Sequence, residues 1–235
     1  MSSETTREEI LNDAYLSAIY QLAYGELARH LPTASVSVLE IGAGLGIAES
    51  LGHQWWRSEL AEVNAVHLRA SAQAIAFRAQ SLDGIILKDT WHHIPDIETF
   101  LTEAHRTLIP GGVVVVIDPY WGALARFVYR FLHQERWEIT RDWHFSAKSP
   151  WDSNQALSYL MLRRHRDTFD ARWADLFAIE EHSRHIGPSF LLSGGVSRRT
   201  PISGVLLRGL LKWEERRGKW FDHLRFFHVF TLTKL

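Results

Sequence analysis

Cysteine is absent from the 235 residues, which excludes disulfides, thiolate metal sites and a cysteine nucleophile and is compatible with a reducing cytoplasm. An excess of either charge is also lacking. Lys and Arg number 26 against 27 Asp and Glu, a formal net charge of -1, so the chain has no broad basic field and no nucleic-acid partner is expected. No uninterrupted apolar run approaches the roughly 18 residues of a spanning helix. The opening MSSETTREEI is polar and acidic, unlike a secretory signal, so a cytoplasmic site is the expectation. What is present is ordinary for a folded soluble chain, with 46% hydrophobic and 23% charged residues, and ten tryptophans are many for this length. The length predicts one domain over residues 1–235.

Apolar residues Ile10, Leu11, Ala14, Ala18, Leu22 and Leu27 recur near helical spacing after a capping box at Thr6 and Glu9, which predicts N-terminal helices within residues 1–34, with a break at Gly25. SVSVLEI is β-branched and apolar, is followed by glycines, and leads into IAESLG, a strand, turn and short helix. HQWWRSEL and NAVHLRAS read as two short strands with little between them, and DGIILKD as the next. IPDIETFLTEAHRTL has helical periodicity from Pro95 to Pro110, and VVVVID is apolar on both faces, as a buried parallel strand would be. This alternation predicts an α/β fold, a three-layer Rossmann-like sheet, over residues 35–119.

Beyond it, residues 120–172 hold many aromatic residues among Arg and His and read as an aromatic-rich α-helical cap inserted after the fifth strand. In residues 173–235, DLFAIEEHS reads as a strand, 186–203 as a glycine-containing loop, 204–224 as an amphipathic helix and RFFHVFTLTKL as a closing edge strand.

In an open parallel sheet, ligands bind beyond the carboxyl ends of the strands, which is where the loop of Gly42, Gly44 and Gly46 would lie. Glycine there permits positive φ and a close approach, though a tight strand-to-helix turn would by itself account for all three. A nicotinamide loop would need glycine at Ile47, so the G-x-G-x-x-G pattern fails. The spacing found is E-x-G-x-G-x-G. It resembles the first motif of class I S-adenosylmethionine-dependent methyltransferases. LDGIILKDTWHHIPDIETFLTEAHRTLIPGGVVVVIDPY resembles their segment from the fourth strand through the fifth, so the likeness covers about residues 35 to 120.

That resemblance implies S-adenosyl-L-methionine as cofactor. Gly42, Ala43, Gly44 and Gly46 would lie against its amino-acid half, with Glu40 organising the loop and the amino group. Glu59 would take the ribose hydroxyls, and Asp89 and Trp91 would line the cavity. Ser71 stands where these enzymes carry an acid for the adenine, so recognition would weaken or shift to Ala72 backbone groups. The stretch between Gly46 and Asp83 is short for the family, implying a shortened second crossover. With Ser71, it motivates an alternative: a degenerate member with a non-catalytic binding, scaffold or repurposed role. RSEL and FLLSGGVSRR are also similar to a bacterial subset linked to polysaccharide or glycolipid assembly, which implies a glycan or lipid-linked acceptor.

Methyl transfer needs nucleophile, methyl and sulfur held in line with water excluded, and an oxygen acceptor benefits from a base. His92 and His93, after the fourth strand, are the candidates for that base, with a histidine packed beneath the loop as the structural alternative. Tyr120 and Trp121, following the fifth strand, are the candidate acceptor-binding residues. Adjacent histidines rarely serve one ion, so no metal is expected. His182 and His185 read as surface residues. Finally, Leu206, Leu210, Trp213, Trp220 and Leu224 fall near one face of residues 204–224 with five basic residues elsewhere. Such a helix covers its own sheet, or lies on an anionic membrane at the inner face.

Overall fold

A run of residues apolar on both faces forms the centre of the sheet. In the computed structural model, which describes residues 7–33, 37–47, 54–60, 67–132, 135–140, 142–147, 149, 152–195 and 200–235, β5 spans Leu108–Pro119 and is buried from Val113 to its end. Val113, Val115 and Ile117 point into one apolar cluster, while Val114 and Val116 point into the other. This period of two is what a strand sandwiched between helices requires.

The other strands are β1 (Ser37–Ile41), β2 (Gln54–Glu59), β3 (Leu68–Arg69), β4 (Leu82–Lys88), β6 (Phe177–His185) and β7 (Phe227–Lys234), in spatial order β3-β2-β1-β4-β5-β7-β6. β1 to β5 pair in parallel, and β7 runs antiparallel to both β5 and β6. One face is covered by α1 (Arg7–Asn12), α2 (Ala14–Arg29) and, further along the chain, α8 (Gly204–Glu215). The other is covered by α3 (Ile97–Thr107) and by the later, helical part of the segment predicted as the cap, which packs on the sheet: α5 (Leu157–Tyr159), a π-helical turn over Leu160–Arg164 and α6 (Arg166–Trp173). α4 (Ala123–Phe131) follows β5, and α7 (Pro188–Ser193) follows β6.

Local chemistry sets several boundaries. Asp13 ends α1 and caps α2, its carboxylate accepting from the amides of Tyr15 and Leu16, so the break falls there and α2 runs through Gly25 unbroken. Asp96 caps α3 in the same way through Thr99. Residues 70–81, between β3 and β4, are turns with no helix, which shortens that connection. The expected helix after the glycine loop falls largely on residues 48–53, which lie outside the described residues, as does Thr6.

Four expectations are corrected. β7 is not the edge of the sheet: its residues are buried on both faces, so it lies between β5 and β6, and the more polar β6 takes the edge. The loop predicted at 186–203 contains α7, with Pro188 at its start and Gly194 ending it at φ +76°. The predicted helix over 204–224 divides into α8 and a 3₁₀ turn over Lys219–Leu224. His182 and His185 are half-buried rather than free: His182 reaches the Thr231 hydroxyl at 2.8 Å, and His185 reaches Glu215 at 2.7 Å.

The join of α7 to α8 rests on Glu214, fully buried, whose carboxylate accepts from the Gly187 amide (3.1 Å), the Ser189 amide (2.7 Å) and the Ser189 hydroxyl (2.6 Å). Glu214→Ala strands these donors away from water and is expected to lower unfolding stability by at least about 1–3 kcal/mol, read from urea denaturation.

Candidate active site

The strand order reverses at β1 and β4, so their carboxyl ends diverge and leave a crevice. A solvent-open cavity of about 310 Å³ sits there, at the lower end of the range for ligand pockets. Its wall is assembled from the loops after four parallel strands: Gly42 after β1, Glu59 at the end of β2, Ser71 and Ala72 after β3, and Thr90 and His93 after β4. Ala147 and Ser149 of the cap close another side.

The glycine loop is built on left-handed backbone, with φ of +71° at Gly42, +51° at Gly44 and +60° at Gly46. At Gly42 a second constraint applies, because a methyl group would overlap the Thr90 side chain. The glycine is thus required by a neighbouring strand's loop. At Gly44 the space is open, and its amide donates to Glu59 Oε2 at 3.0 Å. Glu59 Oε1 accepts from the Leu60 amide at 2.8 Å. The carboxylate stands in the cavity wall, where its chemistry fits a ligand diol. Ser71 lines the cavity with its hydroxyl accepting from the Gln73 amide at 3.1 Å. Ala43 and Gly46 are buried in the turn behind, where the Gly46 amide donates to Ala43.

Glu40 does not line the cavity. Its buried carboxylate accepts from the Tyr24 hydroxyl (2.5 Å) and Trp55 Nε1 (3.0 Å), tying α2 and β2 to β1 directly beneath the loop. Burial pushes its pKa up, against the pull of those bonds. Asp89 also turns away, at φ +52° and 2.5 Å from Lys88 Nζ, beside a small internal void lined by α2 residues. Trp91 is inside the core, edge-on to Phe100 and Phe230. Tyr120 and Trp121 do not reach the cavity either. β7 lies against β5, so the chain leaving β5 meets its start: the Tyr120 amide bonds the Phe226 carbonyl, and both rings pack around His228.

The two histidines separate sharply. His92 is buried, its Nδ1 2.8 Å from Asp118 Oδ1 and its Nε2 3.5 Å from Glu135. Asp118 is completely buried at the end of β5 and also accepts from the Ser158 hydroxyl at 3.0 Å. Burial alone would lower His92, but Asp118 and Glu135 override it and raise the imidazole to about 10. Glu135 follows the complementary course: burial opposes its charge, yet His92, Ser153 and Gln155 hold it down at about 2. His93 instead faces the cavity, and burial followed by the neighbouring His92 charge lowers its pKa. Its Nδ1 lies 3.3 Å from the Asp152 carbonyl, an acceptor, which places the proton on Nδ1 and leaves Nε2 bare.

Glu135 was not foreseen from the sequence. With it, donor atoms of His92, His93 and Glu135 lie within 4.8 Å of one another. The set suits a metal poorly, since a His92 protonated on both nitrogens has no lone pair to give. Thr90, Leu60 and the cap residues Ala147 and Ser149 were missed as well.

Seven strands in this order, five of them parallel, with a glycine loop after the first and an acid ending the second, define a class I S-adenosylmethionine-dependent methyltransferase fold. Residues 39–116 match the family model "Methyltransferase domain". Over 88 residues, 36% of this chain, it is 30% identical to 2-phytyl-1,4-naphtoquinone methyltransferase of Thermosynechococcus vestitus, and the match spans 38% of that protein's length. Among solved structures, a S-adenosylmethionine-dependent methyltransferase from Thermotoga maritima shares 20% identity at a TM-score of 0.52, covering 96% of this chain and 92% of that one. Another from Archaeoglobus fulgidus shares 13% identity at 0.52, covering 97% of each. These likenesses concern the fold.

Two outcomes are expected. Gly42→Ala forces a left-handed alanine, about 1–2 kcal/mol by itself, and adds the clash with Thr90. The double variant with Thr90→Gly relieves only the clash, so urea unfolding should show partial recovery. For His92, a folded-state pKa raised to about 10 means its pairing stabilises fully below the ordinary value near 6.5 and is lost as pH rises towards 10. The melting temperature should fall from pH 7 to 10 more steeply in the native chain than in His92→Gln, followed by circular dichroism.

Proposed function

We propose that the protein transfers a methyl group from S-adenosylmethionine to an oxygen of a small-molecule, glycan or lipid-linked acceptor, with His93 as the general base. The observation that carries this reading is the His93 ring in the wall of the cavity formed by the glycine loop and Glu59, its Nδ1 3.3 Å from the Asp152 carbonyl, where burial and the neighbouring His92 charge favour the neutral imidazole.

When bound, the cofactor supplies an electrophilic methyl group on a sulfonium. Gly42, Glu59, Ser71 and Ala72 would hold it, the Glu59 carboxylate offering acceptor positions to paired hydroxyls. The role implied by resemblance for Glu40 passes to support: its grip on Tyr24 and Trp55 fixes the strand from which the loop springs. Ser71 offers a hydroxyl in place of a charge, so adenine contacts there are neutral. His93 removes the acceptor's hydroxyl proton at Nε2 as the new oxygen–carbon bond forms, the methyl–sulfur bond would break with its electron pair left on a neutral thioether, and the proton passes from His93 to water through the open cavity mouth. His92 does not serve as that base, because both its nitrogens face carboxylates and its charge is compensated there. Its positive charge instead helps hold His93 neutral.

The acceptor class rests on two supports. The apolar and small residues Ile94, Pro95 and Ala147 beside His93 suit a molecule with a non-polar body. The partial relative acts on a phytyl naphthoquinone, a lipid-like ring.

Calorimetry with S-adenosylhomocysteine tests the cofactor. Binding at micromolar to millimolar concentration is expected, and no heat would favour the alternative in which the fold serves only as a binding scaffold. For turnover with labelled cofactor, the rate should rise with pH through one ionisation below 6.5 and stay level above 7, because the depressed His93 pKa leaves the base competent there. His93→Gln should lower kcat by about 10²–10⁴-fold while calorimetry still registers S-adenosylhomocysteine.

A further inference from the structure

The C-terminal unit of α8 and the 3₁₀ turn over Lys219–Leu224 sorts its charged residues by direction. Its glutamates face inward: Glu214 holds Gly187 and Ser189, and Glu215 pairs with His185, Arg225 and the Ile186 amide. Its bases face outward. Arg208, Lys212, Arg216 and Lys219 are exposed and, among the described residues, have no carboxylate within ion-pair distance. A chain with a formal net charge of -1 therefore presents one strongly positive outer face.

The same face exposes large apolar side chains. Val205 is 70% exposed, Leu206 69%, Trp220 65% and Trp213 47%, while the helix packs on its own sheet through Leu207 and Leu211. The expectation that the Leu206 and Trp213 face covers the sheet is thus corrected. Arg217 stacks on Trp213 with its guanidinium 4.3 Å from the ring centroid, so even the tryptophan carries a cation. The surface continues on both neighbours. α7, which packs on α8, exposes Leu191 and Leu192, and α4, which packs on the 3₁₀ turn, exposes Phe127 and Phe131 beside Arg126 and Arg130.

We infer that this face docks on an anionic lipid bilayer, lying in the interface with its tryptophans and aliphatic side chains among the acyl chains and its bases at the headgroups. Exposed apolar side chains interleaved with unpaired bases match such a surface, where area and charge act together. A protein partner of ordinary composition would leave either the bases or the apolar groups unsatisfied. No described helix is long and apolar enough to cross a membrane, so the association is peripheral. The inference stands apart from the methyl-transfer reading, because its test needs neither cofactor nor acceptor.

The test is co-sedimentation of the full chain with vesicles of phosphatidylglycerol and phosphatidylcholine, against vesicles of phosphatidylcholine alone. Binding to the anionic vesicles, weakening with salt, is expected. Each basic side chain near an anionic surface contributes roughly fivefold, so R208A/K212A/R216A should lower the partition constant by about a hundredfold. W213A/W220A should lower it at every salt concentration, with circular dichroism of both variants checking that the fold is kept, since Trp213 and Trp220 also pack edge-on to Phe221. Equal binding to both vesicle types, no binding to either, indifference to these substitutions, or a stable dimer that keeps Trp213 and Trp220 from the lipid would overturn the inference.

Discussion

Three charges in a row, Asp118, His92 and Glu135, organise the cavity end of this molecule. Asp118 ends the central strand, His92 belongs to the turn after β4, and Glu135 comes from the cap. A buried imidazolium between two carboxylates is a costly arrangement to break, since each remaining partner would be left as an uncompensated charge away from water. The knot therefore fixes the cap against the sheet and holds the turn that presents His93. It also divides labour between neighbours in sequence, giving one histidine a permanent charge and the other a neutral ring.

The fold could be read from residues whose neighbours in space are also neighbours in pattern. The double-sided apolar run at 113–117, the glycine punctuation at 42–46 and the capped amphipathic α3 each declare themselves within a dozen positions. The same holds for Gly42, Glu59, Ser71, Ala72 and His93, because a parallel sheet delivers the residue after each strand to one edge.

What escaped the sequence depends on distant pairings. Glu40 carries the motif's spacing, but whether its carboxylate faces a ligand or Tyr24 and Trp55 is decided by how α2 crosses β1. Tyr120 and Trp121 follow β5 as a crevice residue should, and only the antiparallel return of β7 directs them to His228. Glu135 sits in a segment without periodicity, where nothing in the local pattern points across 43 positions to His92. The position of β7 was legible in principle, since RFFHVFTL lacks the alternation of an edge strand.

Placing β7 between β5 and β6 has a consequence for how the chain is made. Its backbone groups serve two neighbours at once, so until residues 227–234 emerge from the ribosome, the outer side of β5 is unpaired and β6 has nothing to join. The parallel half can assemble during synthesis, yet the outer edge of β5 stays open to other chains until β7 threads into its slot. Vulnerability to aggregation is thereby concentrated in the interval before β7 pairs with both neighbours.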